Sequence, residues 1–340
     1  MTNTSTHLSR RVVQYRFGDP HAVLRVEQDV AVPMLSADQV RIRVTRSIIH
    51  PGDLQLVEAK HSRADPAIPV GRVPGLEAVG VVEDAAPHAL DGTGITMGSR
   101  VVFFSPGAWQ SRVVVSAGSL LAVPDDVPDN LATQILINTI TARHVLRAGL
   151  RALPAASRHI LITGGASAVA KLITTLAIAN GLTPIRLVRS SHSAARLASV
   201  LPGGSIVDTS SNDWQETVTK ASDGDIAVAL DGLGGRVIGE IAELLNPGGT
   251  VVSYGVLAGS TANLNLFVSK SLRLAGVTIG TWRNDTPSQQ RSEDMAEAIR
   301  LVRTTPQLFD GYQEFDLSDL DAAIDAVSAP GKTGNILLKF

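Results

Sequence analysis

Along the first 130 residues of the chain, apolar and polar positions alternate in short runs. Val40 to Val44 reads Val, Arg, Ile, Arg, Val, a period of two that turns one face of an extended segment inward and the other toward water. Comparable runs at residues 11–15, 40–49, 78–83, 100–104 and 111–115, separated by turn residues, predict a β-rich first half. From Leu131 onward the pattern changes. Apolar strings at residues 159–163, 185–188, 205–207, 226–231, 250–254 and 274–279 alternate with stretches of helical length, which predicts βαβ units on a parallel sheet covered on both faces. That set suits a Rossmann domain, α/β and doubly wound. The last stretch, residues 307–340, holds a short helix over 317–327 and a strand over 335–340, and is expected to return to the first domain.

Composition narrows the picture. A chain of 340 residues exceeds what one hydrophobic core usually organises, so two domains are expected. With 30 basic and 32 acidic side chains the net charge is −2, which offers no field for nucleic acid or an acidic membrane. The chain has no cysteine, and this excludes disulfides, thiolate zinc sites, iron–sulfur ligation and a thiol nucleophile. The Ser/Thr-rich start, MTNTSTHLSR, lacks the apolar core of a secretory signal, so a cytoplasmic protein is expected. Gly164, Gly165, Lys171 and Asn180 interrupt the apolar stretches of the second half short of the ~20 residues that span a bilayer.

The chemistry begins after the first strand of the second half. Gly164-Gly165-Ala166-Ser167 is a small-residue turn, and residues 168–180 form a helix closed by Gly181. A strand, a tight turn and a helix N-terminus bind a pyrophosphate through close backbone approach, free N–H groups and the helix dipole. The glycine fingerprint is imperfect, its three positions reading Gly165, Ser167 and Ala170. Gly165, Ser167, Ala168 and Val169 are the candidate phosphate contacts. Two look-alikes are set aside. Gly331-Lys332-Thr333 imitates the end of a Walker loop but precedes a strand, and Gly232-Leu233-Gly234-Gly235 is the turn after the fourth strand. The second strand ends in Arg189, Ser190 and Ser191 where an NAD site would place an acid, which favours a 2′-phosphate and hence NADPH. Arg186 and Arg196 make the region basic in sequence.

Several segments, in order, resemble the zinc-free branch of the medium-chain dehydrogenase/reductase superfamily, the quinone oxidoreductases and 2-enoyl thioester reductases. They are His50-Pro51-Gly52-Asp53, Val73 to Gly80, Gly107-Ala108-Trp109, Asn138 to Ala142, Asn246 to Gly255, and Leu274-Ala275-Gly276 with Thr281-Trp282. The resemblance implies a GroES-like catalytic domain from residues 1–131 with 282–340, and a Rossmann cofactor domain over 132–281. It implies an enzyme that reduces an enoyl thioester, an enone or a quinone by hydride transfer without metal. It places Asp53, Asn138, Thr141, Tyr254 and Gly255 at the cofactor, and His50, Trp109 and Trp282 at the substrate. The family's tyrosine falls at His61, whose imidazole could donate a proton or hydrogen bond, so His61 and Asn138 are the candidate catalytic residues. His50 stands at a zinc relative's cysteine position, but Leu76 stands where the next ligand would be, so zinc is not expected. Two other readings stay open, a quinone or small-enone reductase without thioester specificity and a weakly catalytic NADPH-binding, redox-sensing protein. An apolar edge at residues 274–279 predicts a homodimer.

Overall fold

The computed structural model describes residues 8–60, 71–259, 265–329, 331–332 and 334–340. Fifteen strands run along the described chain: β1 (Leu8–Gln14), β2 (Leu24–Ala31), β3 (Gln39–Ile49), β4 (Glu77–Ala85), β5 (Arg100–Phe104), β6 (Arg112–Ser116), β7 (Leu120–Ala122), β8 (His159–Ile162), β9 (Thr183–Val188), β10 (Ser205–Asp208), β11 (Val228–Asp231), β12 (Thr250–Ser253), β13 (Arg273–Gly276), β14 (Tyr312–Asp316) and β15 (Asn335–Lys339). They fall into two compact units, one made of residues 1–137 and 298–340, the other of 138–297. The crossings come later than the expected 131 and 281. Each lies inside a continuous helix, Leu136–Ala152 and Ser288–Thr304, where no change in composition marks it.

The first unit is a β-rich, GroES-like domain. Its main sheet runs β14-β15-β3-β4-β5-β7, with β6 also on β3, and β1 pairs antiparallel with β2 in a separate ribbon. The alternation read at Val40 to Val44 is the inward face of β3, where Val40 and Ile42 are fully buried. Gly80 on β4 is required by this packing, since a Cβ there would lie 2.4 Å from the Arg43 carbonyl oxygen. The C-terminal β15 lies antiparallel to β3, with Ile336 opposite Ile49. Strands β2, β7 and β14 escape the sequence pattern because they are short or largely exposed. β2, for example, carries Arg25, Glu27, Gln28 and Asp29 and keeps few side chains inside.

The second unit is a doubly wound parallel sheet in the order β10-β9-β8-β11-β12-β13, the Rossmann arrangement. β8, β9, β11 and β12 are apolar along most of their length because helices cover both faces, and Leu161, Ile185, Ala229 and Val251 meet in one core. β13 ends at Gly276, short of the expected 279, because the Thr278 hydroxyl accepts the N–H of Thr281 and starts the helix Ile279–Asp285. Among the described residues no helix is long and apolar enough to cross a membrane.

Candidate functional site

The phosphate loop follows from its residue types. Gly164 takes a left-handed φ of 56°, and the Gly165 N–H is held by the Leu187 carbonyl at 2.8 Å. A Cβ on Gly165 would sit 2.8 Å from the Cβ of Arg186, so glycine lets the loop lie flat on β9. Ser167 caps the helix Ala168–Ala179 by accepting the Ala170 N–H at 3.2 Å. The N–H groups of Ala168 and Val169 lie in the first turn, where a helix offers them no acceptor, and they point outward from its positive end. Gly165 and Ser167 thus build the loop, while the backbone of Ala168 and Val169 is what an anion would meet.

At the end of β9 the two arginines part company. Arg189 is exposed and makes no hydrogen bond or ion pair among the described residues, and no acid stands beside it on the strand end. Ser190 caps the next helix through the Ser193 N–H. Arg186, counted in sequence with a basic surface, is fully buried. Its guanidinium donates to the carbonyls of Leu201 at 2.7 Å, of Gly203, and of Ser205 at 3.4 Å, and burial lowers its pKa. It ties β9 to the loop before β10.

A buried carboxylate holds the neighbouring loops. Asp231, at the end of β11, accepts the Thr163 hydroxyl at 2.6 Å and the N–H groups of Leu233 at 3.1 Å and Gly234 at 2.9 Å. The ring of Tyr254 lies over Gly232, where a Cβ would come within 2.7 Å of it. Its hydroxyl is buried, near Ser167 but within hydrogen-bond geometry of no partner among the described residues, and burial, then the Asp231 charge, pushes its pKa well above the usual phenol value against a smaller opposing effect of Ser167. Gly255 follows it, packed 2.4 Å from the Gly232 carbonyl oxygen by the same measure. Asn138 is buried in the first turn of the helix Leu136–Ala152, and Thr141 is partly exposed one turn on. These residues fit a dinucleotide: an orphaned buried hydroxyl, a helix N-terminus with free N–H groups and an unpaired arginine belong to one unit.

Both tryptophans expected at the substrate are buried. Trp109 is 0% exposed, its indole N–H donates to the Ile48 carbonyl at 3.2 Å, and the ring fills the space left by Gly75, where a Cβ would lie 2.1 Å from Cδ1. It is a core residue of the first unit. Trp282 is buried and donates to Asp294 at 2.8 Å, and the same carboxylate receives Arg147 at 2.6 Å and Arg143. This cluster ties three helices together, Leu136–Ala152, Ile279–Asp285 and Ser288–Thr304.

In the first unit His50 sits at the N-cap of the helix Pro51–Val57, and its Nε2 lies 3.0 Å from Oε2 of Glu77. Glu77 is 0% exposed and accepts the N–H groups of Leu136 at 2.6 Å and Ile137 at 3.1 Å. Burial lowers the His50 pKa, but the hydrogen bond and charge of Glu77, with Asp53, outweigh it and the net shift is upward. Asp53, expected at the cofactor, is 2% exposed. One carboxylate oxygen accepts the His50 N–H at 2.8 Å, which holds the chain that carries His50, and the other is buried without a hydrogen-bond partner among the described residues. Burial pushes its pKa up to about 6. Arg72 and Lys332 stand nearby, half-buried and without hydrogen-bond or ion-pair partners among the described residues. His61 lies outside the described residues. The sequence reading missed Glu77 as the partner of His50, together with Asp231, Arg72 and Lys332. The donors do not suit zinc: His50 is committed to Glu77, Leu76 offers no ligand atom, and no three metal-ligating side chains gather among the described residues.

The two units match two family models, the alcohol dehydrogenase GroES-like domain over residues 36–125 and the zinc-binding dehydrogenase domain over 168–303. The chain is 25% identical over 332 residues to the mitochondrial enoyl-[acyl-carrier-protein] reductase of Bos taurus, covering 94% of this chain and 86% of that one. It is 26% identical to a putative NADPH:quinone reductase of Bacillus thuringiensis, with a TM-score of 0.85 over 98% and 100% of the two chains. A mycobacterial protein solved with NADPH shares the fold at 21% identity and a TM-score of 0.82, over 98% and 100%. A Rossmann sheet with a phosphate loop, joined to a GroES-like domain, defines a nicotinamide-dependent oxidoreductase. The chain belongs to the medium-chain dehydrogenase/reductase superfamily, in its quinone oxidoreductase and enoyl reductase branch.

Proposed function

We propose that the protein is an NADPH-dependent reductase of an activated double bond, in an enoyl thioester, an enone or a quinone, working without a metal. The observation that carries this reading is Arg189, exposed and unpaired at the end of β9 with no acid beside it, on the same sheet as the phosphate helix. Bound NADPH supplies the hydride. Ala168 and Val169 would hold the pyrophosphate through their N–H groups, and Arg189 would hold the 2′-phosphate. Tyr254, Gly255, Asn138 and Thr141 line the rest of the cofactor's path, and His50 faces the substrate. The similarity to enoyl-[acyl-carrier-protein] reductases over nearly the whole chain supports the thioester reading, and the likeness to a putative NADPH:quinone reductase supports the quinone reading.

Oxidation of NADPH, followed at 340 nm against crotonyl and 2-hexenoyl thioesters, 1,4-naphthoquinone and methyl vinyl ketone, tests the proposal. Turnover with at least one is the expected result, and the preferred acceptor assigns the substrate class. Tight NADPH binding with no turnover on any of them would reduce the protein to a cofactor-binding or redox-sensing role.

A further inference from the structure

We infer that His21 is a pH-sensitive latch of the first unit. As an imidazolium it bridges two aspartates of the helix Leu320–Ser328 and fastens the short helix Pro20–Val23 over a cavity, and on losing a proton it lets that helix lift. Nδ1 of His21 lies 3.1 Å from Oδ1 of Asp321, and Nε2 lies 3.1 Å from Oδ1 of Asp325. The two aspartates are one helical turn apart, so their carboxylates stand on one face of the helix. An ionised carboxylate only accepts hydrogen bonds, so both contacts attract only when both ring nitrogens carry a proton. A neutral ring keeps one N–H and turns a lone pair on the other aspartate. The bridge therefore requires the charged ring. The ring is partly exposed, so water can take the proton and return it.

The latch lies over a cavity of about 180 Å³, with Pro20, Leu54 and Ile324 among its apolar walls and Asp19, Glu58 and Asp325 among its polar ones. The chain on either side of it is anchored. Val23 and Leu24 are buried in the same core as Leu54 and Ile324, and upstream the Gly18 N–H and the Gln14 side chain donate to the Val57 carbonyl at 3.2 and 2.9 Å. His21 supplies the side-chain link to the helix Leu320–Ser328. The charges that face it are Asp321 and Asp325 from that helix, Asp19 from its own cap, and Glu58 from across the cavity, where it pairs with Lys60 at 2.9 Å. Arg25 reaches the same turn but donates to the carbonyls of His21 at 3.2 Å and Leu24 at 2.6 Å. The hydrogen bond to Asp321 raises the His21 pKa above the ordinary 6.5, desolvation opposes it, and the charges of Asp325, Asp321 and Asp19 add to the rise. The closed form thus binds the proton more tightly than the open one. What the latch contributes is fully present below about pH 6.5 and is lost as pH rises through the folded-state midpoint.

Two measurements on the full chain test this. Long-range 1H–15N NMR should show both His21 ring nitrogens protonated at about pH 6, with a midpoint above the ordinary 6.5 that Asp321→Asn and Asp325→Asn each lower. The second is hydrogen exchange at Ala22 and Val23, whose N–H groups bond to the Asp19 carbonyl inside the latched turn. With the intrinsic pH dependence divided out, their protection should fall between about pH 6 and about pH 9, in total about tenfold for each pH unit that separates the His21 midpoint from 6.5. His21→Gln should show a low protection that no longer changes with pH. A midpoint at or below 6.5, wild-type protection that does not change with pH, or the same change in His21→Gln would overturn the inference. Should His21→Gln fold poorly, Asp325→Asn, which keeps the ring and removes one carboxylate, must shrink the pH-dependent fall, and an undiminished fall would overturn the inference as well.

Discussion

Arg189 carries the choice between the two nicotinamide dinucleotides in one side chain. A 2′-phosphate brings nearly two negative charges, and a guanidinium without other partners among the described residues can meet it with paired, charge-assisted hydrogen bonds. NADPH should bind more tightly than NADH by roughly 2 to 3 kcal/mol, and Arg189→Ala should erase most of that difference. Dissociation constants for both cofactors with both proteins check it, and equal wild-type constants would place the selection elsewhere. Asp53 makes a second prediction at this scale. Its folded pKa of about 6 lies above the value of 3.8 expected of an exposed aspartate, so the folded protein holds that proton more tightly than the unfolded chain does. The stability it contributes is fully present below about pH 4 and is lost as pH rises through 6. The stability of Asp53→Asn relative to wild type should therefore improve by on the order of 3 kcal/mol between pH 4 and pH 8. Denaturant melts at both values measure this, and a pH-independent difference would mean that the carboxylate ionises freely.

The elements show which parts of the site a sequence can reveal. The phosphate loop is legible because everything that makes it lies within a dozen positions: an apolar strand, small residues, a capping serine and a closing glycine. Arg189 is legible for the same reason. The His50–Glu77 pair is not, since it exists only once β3 and β4 pair with Ser47 opposite Ala78 and bring their ends together. Nor could the sequence tell that Trp109 lies on Gly75 in the core, because a tryptophan beside a glycine turn reads the same whether it faces a ligand or packs inward. Arg186 failed for a related reason, its acceptors being carbonyls of a loop that no side-chain pattern announces. That packing makes a prediction for the loop. Gly165→Ala must displace either Arg186 or the turn itself, and should cost about 1 to 3 kcal/mol of stability while weakening NADPH binding. Thermal unfolding and a fluorescence titration read the two effects, and an alanine tolerated in both would show that the loop stands clear of β9.

At the scale of the molecule, β13 ends the Rossmann sheet with all four of its residues exposed, Leu274 at 49%, and Val268 on the preceding short helix is 81% exposed. An open strand edge flanked by apolar side chains invites pairing with its own copy about a two-fold axis. We expect a homodimer through β13, dissociated by Leu274→Lys, with light scattering at micromolar concentration as the measurement. A monomeric wild type would contradict it.

The place of β15 bears on how the protein is made. The sheet of the first unit is built from two stretches far apart in the chain, and one strand next to β3 is Asn335–Lys339, translated long after β3 itself. Residues 138–297 are contiguous and can assemble while synthesis continues, because every strand of their sheet has emerged. The first unit must wait with the Ile48 and Ile49 edge of β3 unpaired until residues 335–339 have emerged. A nascent chain in that interval is a client for a chaperone, and loss of residues 335–339 would leave an apolar strand edge of β3 exposed for good.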